Sequence, residues 1–117
     1  MNFSSARFGD VLPVDLGTPI GSEAGSIRPA VVLTGDGFLR YRPSSVFVVP
    51  LTATGRSFPS HVRVEVDPSN GLDRTSWAQV EQMRAVASDR CGDPIGNVGP
   101  AVTHQMLDVL AMITGIP

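Results

Sequence analysis

A chain of 117 residues suits a single domain spanning 1–117, because domains run to about 100 to 150 residues around one core, and it leaves no room for two catalytic units. With 42% hydrophobic and 17% charged residues and no block of like charge, the composition is that of a folded, rather dry globule and excludes a disordered tail. A net charge of -2 excludes a global basic field, so any nucleic acid must be held by a local cluster.

All nine basic residues are Arg, whose planar fork suits bidentate phosphate contacts, although genome composition is the simpler reason for the missing lysine. Cys91 is the single cysteine, which excludes an internal disulfide and a multi-cysteine zinc site; in Asp89-Arg90-Cys91-Gly92-Asp93 it reads as a plain thiol. Met1 to Asp10 carries no apolar run behind a basic start, and nowhere do 18 apolar residues run together. The expected location is the cytoplasm, with no membrane contact.

Val11 to Leu16 is a short apolar run broken by Pro13 and Asp15, as expected of an edge strand that tolerates a missing N–H. Gly17 to Ser26 is rich in small residues and turn formers and predicts a long mobile loop with Arg28 at its end. Pro29 to Thr34 is continuous and β-branched, which predicts a strand buried on both faces, stopped by Gly35-Asp36-Gly37. Val46 to Leu51 predicts a second buried strand. Ser60 to Val66 alternates, with Val62, Val64 and Val66 on one side and His61, Arg63 and Glu65 on the other, as in a half-buried strand.

Asp67 to Gly71 predicts a turn, since Asn-Gly tolerates positive φ. Ser76-Trp77-Ala78-Gln79 resembles a capped helix start, and the helix formers of Val80 to Ala87 point the same way on local propensity. Gly99 and Pro100 open a helix that places Val102, Met106, Leu110 and Ile113 on one face, and Gly115 and Pro117 end it. The expected fold is mainly β with a C-terminal helix, a small, strongly bent sheet or barrel.

Gly9-Asp10-Val11, Gly21-Ser22-Glu23, Arg28-Pro29-Ala30-Val31-Val32, Val49-Pro50-Leu51-Thr52, Gly71 to Ser76, Glu81-Gln82-Met83-Arg84 and Ile95-Gly96, read in that order, resemble the MazF/PemK family. The resemblance covers Phe8 to Gly115. It implies a small SH3-like barrel of the MazF/CcdB/PemK type and a homodimer. It also implies a toxin of a toxin-antitoxin system: a sequence-specific endoribonuclease that cuts single-stranded RNA, whether messenger, transfer or ribosomal, and is silenced by a cognate antitoxin. Against the local reading, it makes Trp77 to Met83 a strand, because tertiary context overrides propensity over so few residues.

Metal-free RNA cleavage uses the 2′-hydroxyl as the nucleophile and yields a 2′,3′-cyclic phosphate and a 5′-hydroxyl. No cofactor and no metal are expected. The protein must supply charge at the phosphoryl oxygens, a base for the 2′-hydroxyl and help for the leaving oxygen. Arg28, where a loop meets a strand, is the leading candidate for the charge; on residue type alone it is an ordinary surface ion-pair arginine, and the resemblance reverses that.

The resemblance places a catalytic hydroxyl at Thr52, with Thr54 as its nearest rival, and a loop acid at Glu23 that shapes the loop or orients Arg28. It also places an acid at Glu81, while the family's basic neighbour is replaced by Gln79. A histidine side chain titrates near neutrality, so His61 and Glu81 are both open as the general base, although the plainer expectation for His61 is an exposed position on the polar face of its strand. His104 reads as structural.

Stacking on aromatic or guanidinium faces would select bases, and Phe58, Trp77, Arg56, Arg74 and Tyr41 are available beside Gln79, with Trp77 open between core and platform. Two other readings keep the same fold. One is a barrel toxin that binds and poisons DNA gyrase without catalysis, against which stands an ending, Met112 to Pro117, without an aromatic residue. The other is a non-catalytic binding module.

Overall fold

The computed structural model describes residues 6–55 and 58–116. Strand β1 (Asp10–Asp15) pairs antiparallel with β2 (Ile27–Val32), so residues 16–26 form the hairpin connection between them. The edge position expected from Pro13 does not hold. The far side of β1 pairs with β7 (Gly96–Asn97), and Val14 bridges to Cys91. Pro13 is tolerated because it faces Pro29 across the β1–β2 register, where neither residue can donate, while its carbonyl accepts the Gly92 N–H at 2.7 Å.

Strand β3 (Ser45–Thr52) is the spine of the molecule. Its first half pairs with β6 (Arg84–Ala87), its middle pairs with β2 from Val48 to Pro50, and its last two residues pair with β5 (Ser76–Gln79). Strand β5 pairs on its other edge with β4 (His61–Val64), giving the order β4-β5-β3-β2-β1-β7 with β6 beside β3. The result is a strongly bent half-barrel with a C-terminal helix, the mainly-β architecture expected from the alternating and continuous apolar runs.

Two apolar clusters lie on opposite faces of this sheet. One holds Leu12, Val14, Ala30, Val32, Val46, Val48 and Val86 and is plugged by Ala24 and Leu39. The other holds Val11, Val31, Val49, Leu51, Val62, Val64, Ala78 and Val80 around Met106 of helix α2 (Gly99–Thr114). Strands β1 to β3 contribute to both, which is why their sequences run apolar without alternation. Strands β4 and β5 bury one face only. Met106 is fully buried, and such a side chain contributes about 1.5–3 kcal/mol relative to an exposed one.

Three local expectations are corrected. Residues 76–87 do not form a helix: Ser76–Gln79 is strand, Val80–Gln82 one 3-10 turn, and Arg84–Ala87 strand again. Ala78 is completely buried between β3 and β4, and two neighbouring strands supply the backbone partners a helix would have made internally. The strand that the family resemblance draws from Trp77 to Met83 is accordingly interrupted after Gln79. Gly35-Asp36-Gly37 does not only stop β2, because Asp36–Leu39 forms a one-turn helix α1 whose Leu39 fills the first core. On α2, Ile113 is 43% exposed, and Thr103 is buried with Met106 instead.

Asn97 ties the start of α2 to β1: its Oδ1 accepts the Gly99 N–H at 2.8 Å, and its amide donates to Phe8 O and Asp10 Oδ1. Gly115 closes the helix at φ +73°, where a side chain would be strained. Cys91 is buried, and burial pushes its thiol up to about 11, so it is a protonated, structural thiol at neutral pH.

Candidate functional site

Residues directly opposite in an antiparallel pair share a face, as do alternate residues along one strand. Thr52 faces Trp77, Trp77 faces Arg63, and Gln79 faces His61, so these five side chains belong to one face of the β3–β5–β4 sheet. Their opposite neighbours Leu51, Ala78, Val62 and Val64 form the core against α2. Between β2 and β3 the register runs Ala30 to Pro50 and Val32 to Val48; continued two residues, it brings Arg28 to the position facing Thr52. The pairing stops at Ala30–Pro50, where β3 turns to join β5. Arg28 and Thr52 therefore stand at the mouth where the two parts of the sheet separate.

Arg28 is partly buried, and its Nε donates to Gly25 O at 3.0 Å, leaving both Nη groups without an ion-pair partner among the described residues. The Thr52 Oγ1 accepts the Thr54 N–H at 3.2 Å, so its own proton is available to donate outward. Trp77 belongs to neither apolar cluster. Its ring lies against Gly55, where a Cβ would come within 2.1 Å of ring carbon Cδ2, so the loop after β3 is folded tightly over it.

Beside this face is a cavity of about 370 Å³ lined by Ser22, Thr54, Phe58, His61, Gln79, Glu81 and Gln82. A second hollow of about 360 Å³ shares Glu81 and Gln82 with it and is otherwise lined by Glu23, Met83 and Arg84. The His61 side chain is only 4% exposed, against the expectation of an exposed strand histidine. Alternation does put it on the polar face, but Phe58 packs edge-on at 5.3 Å and Glu81 covers the other side.

Its Nε2 lies 3.3 Å from Glu81 Oε2, which favours a proton on Nε2 and a lone pair on Nδ1. That Nδ1 is buried and has no hydrogen-bond partner among the described residues, and neither has Gln79 Oε1. Both residues line the cavity, and a buried polar atom without a partner is costly unless something from outside completes it.

The remaining expected residues are placed as follows. Glu23 is exposed on the loop, where its Oε1 accepts the Ile20 N–H at 3.0 Å; it shapes the loop and forms no ion pair with Arg28. Arg74 is not brought to this face: it lines a separate hollow with Pro29, Leu51, Ala53, Leu72, Asp73 and Ser76, its Nε 3.4 Å from Asp73 Oδ1. Arg56 lies outside the described residues. Tyr41 is 83% exposed near α1, and His104 pairs with Asp108 on the outside of α2 at 3.6 Å.

Residue-type reasoning passed over Gln82 and Arg84, whose side chains reach the β1–β2 loop at Ala24 N and Leu16 O. Only their adjacency to Glu81 in one motif could have signalled them. Among the described residues no three His, Cys, Asp or Glu side chains gather as a metal centre requires, and no helix is long and apolar enough to cross a membrane.

Residues 7–114 match the family model described as PemK-like, MazF-like toxin of type II toxin-antitoxin system. Endoribonuclease MazF9 of Mycobacterium tuberculosis is 34% identical over 111 residues, covering 91% of this chain and 93% of that protein. Endoribonuclease EndoA of Bacillus subtilis is 34% identical over 103 residues, covering 87% and 88%. Among solved structures, an endoribonuclease in complex with its cognate antitoxin from a mycobacterial species superposes with a TM-score of 0.76 at 26% identity, covering 97% of this chain and 98% of that one. MazF from Deinococcus radiodurans shares the fold at a TM-score of 0.79 and 17% identity, covering 94% and 96%.

Proposed function

This chain belongs to the PemK/MazF family of toxins of type II toxin-antitoxin systems, and from that premise we propose that its polar sheet face cuts single-stranded RNA without a metal, acting in the cytoplasm. The observation that carries the reading is the gathering of Thr52, Trp77, Gln79 and His61 on one face, with Arg28 in register at its mouth. Its relatives are named endoribonucleases, and this is the face that could serve such chemistry.

The two Nη groups of Arg28, which have no ion-pair partner among the described residues, take the non-bridging phosphoryl oxygens, and the Thr52 hydroxyl donates to the same group. Thr54 links this end to the cavity, since its N–H holds Thr52 Oγ1 and its side chain lines the wall beside His61. The Nδ1 of His61 accepts the 2′-hydroxyl proton as the 2′-oxygen attacks phosphorus. The imidazolium so formed is stabilised through Nε2 by the Glu81 carboxylate. The bond from phosphorus to the 5′-oxygen breaks, and that oxygen departs beside the positive guanidinium and takes a proton from water to give the 5′-hydroxyl, while the imidazolium returns its proton to solvent. The geometry thus supports His61 as the base and Glu81 as its partner. The Trp77 ring and the Phe58 edge offer stacking surface to the flanking bases.

Purified protein incubated with a long single-stranded RNA in EDTA is expected to give discrete fragments. Intact RNA, or cleavage that strictly requires magnesium, overturns this reading and favours a non-catalytic binder of the gyrase-poison kind.

The family premise also supports a homodimer held in check by an antitoxin, and Leu107, Met112 and Ile113 leave apolar surface on the outside of α2 for such contacts. The mycobacterial structure, an endoribonuclease in complex with its cognate antitoxin, supports an antitoxin as the partner of this chain. Light scattering on this chain co-expressed with its own antitoxin should show two copies of the chain per complex, and the complex should leave RNA intact. One copy per complex, or cleavage at the free protein's rate, contradicts this.

A further inference from the structure

Gln82 lies in the 3-10 turn after β5, yet its side chain reaches 58 residues back in the chain, where Oε1 accepts the Ala24 N–H at 3.1 Å. The next residue, Gly25, gives its carbonyl to Arg28 Nε at 3.0 Å. Only the Ala24–Gly25 dipeptide separates the two hydrogen bonds, and it has little freedom. Ala24 is 6% exposed in the first apolar core, and a Cβ on Gly25 would meet Pro19 Cδ at 2.4 Å. The base of the same loop is fixed by Arg84, whose Nη1 donates to Leu16 O at 3.2 Å.

From this chain of contacts we infer that Gln82 is a positioning residue that orients the Arg28 guanidinium through Ala24 and Gly25. The inference rests on the proposed role of Arg28 in holding the phosphate. An arginine side chain has several rotatable bonds, and its fork recognises two oxygens only when its plane is set. One Nε–H bond to a fixed carbonyl sets that plane and turns the two Nη groups outward. The carbonyl is fixed because the residue before it is pinned by Gln82. If Gln82 lets go, the buried Ala24 N–H loses its acceptor and the dipeptide shifts, and displacement of a reacting group by about 1 Å can cost about a hundredfold in rate.

In this arrangement Gln82 acts only as an acceptor, so a carboxylate can replace its amide and a leucine cannot. The experiment combines Arg28 Nε–H solvent exchange, followed by NMR, with a kinetic cycle in the wild-type and Arg28→Lys backgrounds, and thermal melts establish folding. Gln82→Leu is expected to speed Nε–H exchange, whereas Gln82→Glu should keep it slow. Gln82→Leu should lower kcat by about tenfold to a hundredfold when Arg28 is present and have little further effect in Arg28→Lys, because contacts acting through one group are non-additive.

Unchanged Nε–H exchange in folded Gln82→Leu, or the full loss of kcat repeated in Arg28→Lys, overturns the inference. Should Gln82→Leu fail to fold, Gln82→Ala carries the same measurements without adding an apolar group to the groove wall. Normal cleavage by Arg28→Lys alongside faster Nε–H exchange in Gln82→Leu would retire the catalytic reading of Arg28 and leave the positioning contact standing.

Discussion

Replacing Arg28 by lysine is expected to slow single-turnover RNA cleavage by about two to three decades, the usual loss of one preorganised donor to developing charge, about 3–4 kcal/mol. Lysine keeps the charge but has neither the planar fork nor an N–H placed to meet Gly25 O, so the phosphoryl oxygens lose a bidentate partner. Stability should hold to within about 1 kcal/mol, because Arg28 is only partly buried and makes no ion pair among the described residues. Thr52 supplies the second half of this prediction. Thr52→Ser should be tolerated and Thr52→Val should not, since the hydroxyl that receives the Thr54 N–H is the group proposed to donate to the phosphate. Near-normal cleavage by Arg28→Lys and Thr52→Val, with melts unchanged, would move the phosphate clamp elsewhere.

His61→Ala should cost about 10²- to 10⁴-fold in rate, the range in which a positioned general base contributes. The Nδ1 atom it removes is buried and has no hydrogen-bond partner among the described residues, and Glu81 at 3.3 Å is placed to stabilise the protonated ring. Glu81→Gln should have a smaller effect, because an amide oxygen still accepts the Nε2–H but no longer balances the positive ring. Thermal melts separate this from a packing role: near-normal single-turnover cleavage by folded His61→Ala would show that another group takes the proton, with Glu81 next in order.

Much of the fold is legible in the chain itself. The continuous runs of β2 and β3, the alternation of β4 and the Gly-Pro opening of α2 mark elements whose local pattern agrees with their place in the sheet. Residues 76–87 are the opposite case. Ser76–Gln79 is paired with both β3 and β4 and Arg84–Ala87 with β3, so the helix preference of these residues is overridden by pairing with strands that lie far away in sequence.

The site divides in the same way. Arg28 and Thr52 are marked by the family motif, and the register explains why two residues 24 positions apart stand at one mouth of the sheet. The pairing of His61 with Glu81 is not legible, because it depends on the 3-10 turn that swings Glu81 back over β4. Strand alternation assigns His61 its face but cannot show that Phe58 and Glu81 cover it. Arg74 illustrates the limit from the other side: it stands three residues before Trp77, yet it lies in a separate hollow with Asp73 and Ser76.

The central claim is that this sheet face lets the RNA supply its own nucleophile, and one measurement reaches it most directly. An RNA oligonucleotide carrying the cleaved sequence is compared with the same oligonucleotide bearing a single 2′-deoxy residue on the 5′ side of the scissile phosphate, both in EDTA, with products identified by mass. The all-ribose strand should be cut to a 2′,3′-cyclic phosphate and a 5′-hydroxyl, and the 2′-deoxy strand should remain whole. Cleavage of the 2′-deoxy strand at the same bond, or products with a 5′-phosphate, would contradict the account.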